Sequence, residues 1–180
     1  MPNTSSIYYQ VYALLDKHPL AETDCGELCG KLCCCYMVPE DQEEGVELLP
    51  GEEEVFPLEA GWHKPGFLPG SMYEYPPEWG RAGCVQIRCL EPCPRGERPV
   101  NCRLFPFQIY TREGRYYLVL IGAGYYNCPL TSRPELLNKA FIETAKEAAG
   151  LLLSITKVRQ LIDFDSKKID RENIKIVTEL

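Results

Sequence analysis

Ten cysteines in a 180-residue chain constrain this fold more than any other feature, because they gather in groups far apart in sequence. The stretch "DCGELCGKLCCCY" places Cys25, Cys29, Cys33, Cys34 and Cys35 within eleven residues. A second group holds Cys84, Cys89, Cys93 and Cys102, and Cys128 follows alone. A small domain stapled by disulfides is usually under about 80 residues. This chain is longer and 45% hydrophobic, so it can bury a core without cross-links. Its thiols need another explanation.

The surroundings of the thiols follow from charge and hydropathy. A net charge of −7 argues against a general nucleic-acid or anionic-membrane partner. No apolar run reaches the roughly 20 residues that span a bilayer. The opening "MPNTSSIYYQVYALLDKH" lacks a basic stretch followed by an apolar one, so no secretory signal is expected. The expectation is a soluble, cytoplasmic protein with reduced thiols. There, clustered cysteines are more often metal-binding or catalytic than disulfide-bonded.

Spacing refines this. Cys25, Cys29 and Cys33 are four residues apart. On one helix they would share a face, with three sulfurs able to converge. Adjacent side chains diverge, so Cys33-Cys34-Cys35 predicts either a second metal or a thiol buried as a small hydrophobe. Further ligands must come from the second group, which requires the chain to fold back on itself and couples metal binding to folding. Thiolate ligation suits zinc or an iron–sulfur centre and disfavours magnesium, calcium or manganese. The spacings contain no C-x2-C pair typical of zinc sites and match neither common ferredoxin run. The metal stays open between zinc and iron–sulfur. A disulfide framework and catalytic thiols are the lesser alternatives.

The rest of the chain predicts an α+β fold in a single domain over 1–180, with a few helices, a small antiparallel sheet and the cysteines in irregular segments. Residues 5–17 read as a helix capped by Ser5 or Ser6, with Ile7, Val11, Leu14 and Leu15 on one face. The acidic run "PEDQEEGVELLPGEEEVFPLE" reads as solvated surface, with a helix start at "LPGEEEVF". Residues 61–80 read as a long irregular loop, rich in proline, glycine and aromatics. "FQIYTREGRYYLVLIG" alternates about "REGR" and predicts a β-hairpin. Residues 134–156 carry the clearest helical stripe, Leu137, Phe141, Ala145, Ala148 and Leu152, with Pro134 in the first turn. A short helix or turn and then a strand at "NIKIVTEL" complete the chain.

Two stretches together resemble a known family: the opening cysteine cluster, and "RPVNCRLFPF" with Cys84 and Cys93 before it and Cys128 after it. The pattern resembles the CxxCxxCC family, described as a zinc- or iron-chelating domain, to which flagellin N-methylase is related. The resemblance spans about residues 25–130 and implies metal ligands at Cys25, Cys29, Cys33, Cys34, Cys84, Cys93, Cys102 and Cys128. This chain departs from the family in its x3 spacings and in the extra Cys35 and Cys89. Cys34 and Cys35 therefore exchange freely in this assignment, as do Cys84 and Cys89.

Arg98 and Arg103 flank Cys102. They read either as cofactor-binding residues that offset thiolate charge or as structural ion-pair partners. Phe105-Pro106-Phe107 reads as core and turn. His63 in "GWHKPG" is a candidate ligand or proton carrier, set aside as a loop histidine without a paired base. "GAGYYNCPL" offers only G-x-G, too little for a nucleotide fingerprint. The leading expectation is a protein that chelates zinc or an iron–sulfur cluster through thiolates from two distant segments. One alternative is a metal-dependent enzyme, such as a protein methyltransferase or redox protein related to flagellin N-methylase. Another is a protein-interaction module that presents the aromatic loop 61–80 to a protein partner.

Overall fold

The apolar stripe of residues 137–152 lies buried as expected. In this computed structural model, residues 3–22, 25–31, 33, 45–70, 74–121, 128–169 and 171–180 are described. Cys34, Cys35, Tyr73, "GAGYYN" and residues 39–44 of the acidic run lie outside them. All of the stripe but Leu137 sits on α5 (Lys139–Leu153), which starts later than its proline suggests. Asn138 supplies the reason: its side chain accepts the Ala140 N–H at 2.9 Å and caps the helix there. Pro134 instead opens a 3₁₀ turn, and α6 (Thr156–Asp165) follows as a separate helix. Helix α1 (Thr4–Asp16) packs against α5 through Ile7, Tyr8, Val11 and Leu15. Asn3, rather than Ser5 or Ser6, caps it.

The fold is α+β, with two three-stranded antiparallel sheets among the described residues. One sheet is the expected hairpin, β4 (Phe107–Arg112) and β5 (Arg115–Ile121), extended by β6 (Ile174–Glu179). Its turn residues Glu113 and Gly114 have φ of 55° and 75°, the left-handed pair that suits a two-residue hairpin. The other sheet comprises β1 (Val46–Glu47), β2 (His63–Leu68) and β3 (Cys84–Cys89), in the order β1-β3-β2. The supposed loop 61–80 thus contributes a strand. Pro65 is tolerated because β2 is an edge strand. Gly83 is required where β3 begins, since a Cβ there would strike the Leu68 carbonyl oxygen.

Two apolar clusters result. The larger joins α1, α5, α6 and the hairpin sheet, and the smaller holds Leu48, Phe56, Trp62 and Ile87 beside β3. Short helices bridge the region between them: α2 (Cys25–Cys29), α3 (Val100–Leu104) and α4 (Pro129–Ser132). Among the described residues, no helix is long and apolar enough to cross a membrane.

Among the described residues the acidic run is not simply solvated: Leu48, Leu49 and Phe56 are buried, and so is the charged Glu52. It is fully buried and accepts hydrogen bonds from the Leu49 N–H (2.9 Å), the Val100 N–H (2.7 Å) and the Tyr12 hydroxyl (2.7 Å). Pro99 cannot cap α3 with its side chain, so the Glu52 carboxylate takes an amide hydrogen at the helix start instead. One side chain thereby ties α1, the turn after β1 and the helix that carries Cys102. Glu52→Gln leaves a buried donor facing a donor and should cost about 1–3 kcal/mol. The denaturant midpoint measures this, and an unchanged midpoint contradicts the anchoring role.

Candidate metal centre

Seven cysteines line a single cavity of about 260 Å³: Cys25, Cys29, Cys33, Cys89, Cys93, Cys102 and Cys128. Each arrives by a different local device. Cys25 and Cys29 are the first and last residues of α2. The helix stops there because Gly30 and Lys31 both adopt φ of 63°, so Cys33 reaches the cavity from beyond the helix instead of from a third turn. Cys89 ends β3, and Cys93 follows in the turn leading to α3. Cys102 sits on α3, and Cys128 occupies the position before α4. Leu20, Val46, Phe105, Pro106 and Leu130 complete the apolar walls, and Glu91, Arg98 and Asn101 are polar members.

The cysteines approach from both apolar clusters. Cys25 and Cys128 pack on the larger apolar cluster, Cys89 and Cys93 on the smaller. None of the eight described cysteines is joined to another by a disulfide. Among the described residues, no three His, Cys, Asp or Glu side chains already form a group that could hold one ion. The sulfurs therefore face a shared space wider than a closed tetrahedral site. Its volume exceeds the roughly 150 Å³ of a cavity that admits benzene.

Cys84 stands apart from this set and Cys89 takes its place. The two lie five residues apart on one strand, so their side chains fall on opposite faces. Cys84 is buried in the larger apolar cluster. Its burial pushes the thiol up to about 12, the nearby Glu47 charge adds to this, and a hydrogen bond with Tyr75 opposes it. Such a group stays a thiol at neutral pH. Burial also raises the Cys128 thiol, with Cys29 contributing and the Leu130 and Thr131 amides opposing. A bound cation would reverse that preference by favouring the thiolate.

Of the two arginines proposed to hold a cofactor, only Arg98 lines the cavity. Arg103 is a structural clamp. Its Nε donates to the Arg98 carbonyl and its Nη2 to the Gly96 carbonyl at 2.7 Å. Its Nη1 pairs with Asp16, and the guanidinium lies 4.4 Å from the Tyr12 ring centroid. These contacts hold the 95–98 turn against the end of α1, fixing the chain between Cys93 and Cys102. Trp62 contributes from the other side, donating its indole N–H to Glu97 at 2.6 Å. Trp62 and Tyr75 are buried while Phe67 is exposed, so most of the described aromatics of 61–80 serve the protein's own core.

No family model, curated protein or solved structure matches this chain.

The contrast in burial between Cys84 and the cavity cysteines is measurable. Cys84 is buried, whereas Cys93 and Cys102 are half-buried and open to a reagent. In native, chelator-treated protein, peptide mapping after brief maleimide exposure should find Cys93 and Cys102 labelled and Cys84 unmodified. Labelling of Cys84 at the rate of Cys93 would contradict its placement.

Proposed function

We propose that this chain is a thiolate metal-binding protein that holds zinc or an iron–sulfur centre between its two apolar clusters. One observation carries the reading: seven cysteines from well-separated segments line one cavity. Ordinary burial of small hydrophobes would scatter them, as it does Cys84. The donor chemistry fits, because thiolates select zinc and iron–sulfur centres over hard cations. The dimensions fit a centre of more than one metal, since seven thiols exceed the four ligands of a tetrahedral zinc. Arg98 in the cavity wall provides a positive charge to offset the thiolates. The resemblance to the CxxCxxCC family points the same way, with Cys89 in place of Cys84 and Cys34 outside the described residues.

The metal would act first as a cross-link. Cys25 and Cys29 sit on α2, Cys102 on α3 and Cys89 on β3, so a bound centre would join three separate elements. That makes binding energy part of folding energy.

Metal and sulfide analysis of protein purified without oxygen tests this. Wild-type protein and Cys84→Ser should carry the same stoichiometric metal. Cys102→Ser should lose most of it, together with several kcal/mol of stability. Wild-type-like metal content in Cys102→Ser, or metal-free wild-type protein, would refute the reading.

A further inference from the structure

His63 opens β2 and is 4% exposed. Its ring is held edge-on by Trp62, with centroids 4.3 Å apart, and packs against Phe56 at 5.4 Å. Across the ladder its partner is Cys89. The Leu90 N–H donates to the Trp62 carbonyl at 2.9 Å, closing the ladder just outside this pair. His63 and Cys89 therefore form a non-hydrogen-bonded pair, the kind whose Cα atoms lie about 4.5 Å apart and whose side chains share a face at close range.

The two ring nitrogens are not equivalent. Nε2 lies 2.9 Å from the Pro57 carbonyl oxygen. A carbonyl can only accept, so Nε2 carries the hydrogen, and in the neutral ring Nδ1 keeps its lone pair. Nδ1 is buried and has no hydrogen-bond partner. An unsatisfied buried acceptor is costly and uncommon in a native fold. A ring whose N–H is fixed by a backbone carbonyl while the other nitrogen stays bare is the arrangement that holds metal-ligating histidines. Cys89 and Cys93 both pack against the apolar cluster that contains Phe56 and Trp62. The bare nitrogen and the Cys89 thiol thus lie across one ladder from each other, beside the cluster on which Cys93 also packs, without yet closing into a three-donor group among the described residues.

We propose that His63 Nδ1 is a metal ligand at the Cys89–Cys93 end of the cavity, making that end a mixed imidazole–thiolate site for a zinc-like first-row divalent ion. The inference rests on the metal-thiolate reading above. His63 is not itself in the cavity wall, so the ion seats between the wall thiol of Cys89 and the cross-strand ring. Pro57 then acts as the outer partner that fixes which nitrogen faces the metal.

Cobalt(II) is the probe. Added without oxygen to chelator-stripped wild-type protein, it should give sulfur-to-cobalt charge-transfer bands and a ligand-field envelope. His63→Ala should weaken cobalt binding at least about tenfold and shift the envelope. His63→Cys should restore affinity, with the envelope displaced to the red as in an all-thiolate set. A second measurement needs no variant: in zinc-loaded wild-type protein labelled with ¹⁵N-histidine, the Nδ1 resonance should move to the metal-bound position. Charge-transfer bands with affinity and envelope unchanged in His63→Ala, and an unmoved Nδ1 resonance, would overturn the His63 assignment while leaving the thiolate centre standing. Absence of charge-transfer bands in wild-type protein would also overturn it. The broader reading falls with it only if the protein as purified carries no metal either.

Discussion

Everything about this molecule turns on a seam. Two apolar clusters form on either side of it, and cysteines from both face the cavity between them. Thiols are small enough to sit at the edge of a hydrophobic cluster without a large desolvation cost. They are also the ligands that bind borderline and soft metals most firmly. The seam is thus compatible with the fold without metal, and a bound metal of the kind proposed would tighten it.

The seam is framed by buried polar groups that the apolar pattern does not supply. Glu52 fixes the start of α3 from the turn after β1. Arg103 fixes the 95–98 turn from α3 and reaches Asp16 at the end of α1. At the surface, the exposed Asn101 adds a tie from α3 to β1, donating to the Glu47 carbonyl at 2.8 Å. Buried charges of this kind are tolerated only when nearly fully satisfied. Their concentration around α3 makes that short helix the best-positioned element of the site, although its five residues are too few to hold a helix by propensity alone.

Features written in local chemistry were legible in the sequence. The hairpin combined alternation with a turn whose residues accept left-handed φ, and α5 showed a continuous apolar stripe. The strand β2 was hidden because "HKPGFL" contains a proline and a glycine and lacks alternation; its pairing to β3 overrides that composition. The gathering of distant thiols was legible from cysteine number and the expected redox setting. Which thiols was not. Choosing Cys89 over Cys84 requires knowing that residues 84–89 are one strand, whose alternation separates them. Glu52 was masked by the acidic run around it, and Arg103 by its neighbour Cys102, because burial and partner choice are tertiary properties.

X-ray absorption at the metal edge of protein purified without oxygen tests the central claim most directly. The expected result is an inner shell dominated by sulfur, at about 2.3 Å if the metal is zinc. A shell of oxygen and nitrogen alone, or no metal edge above background, would contradict it.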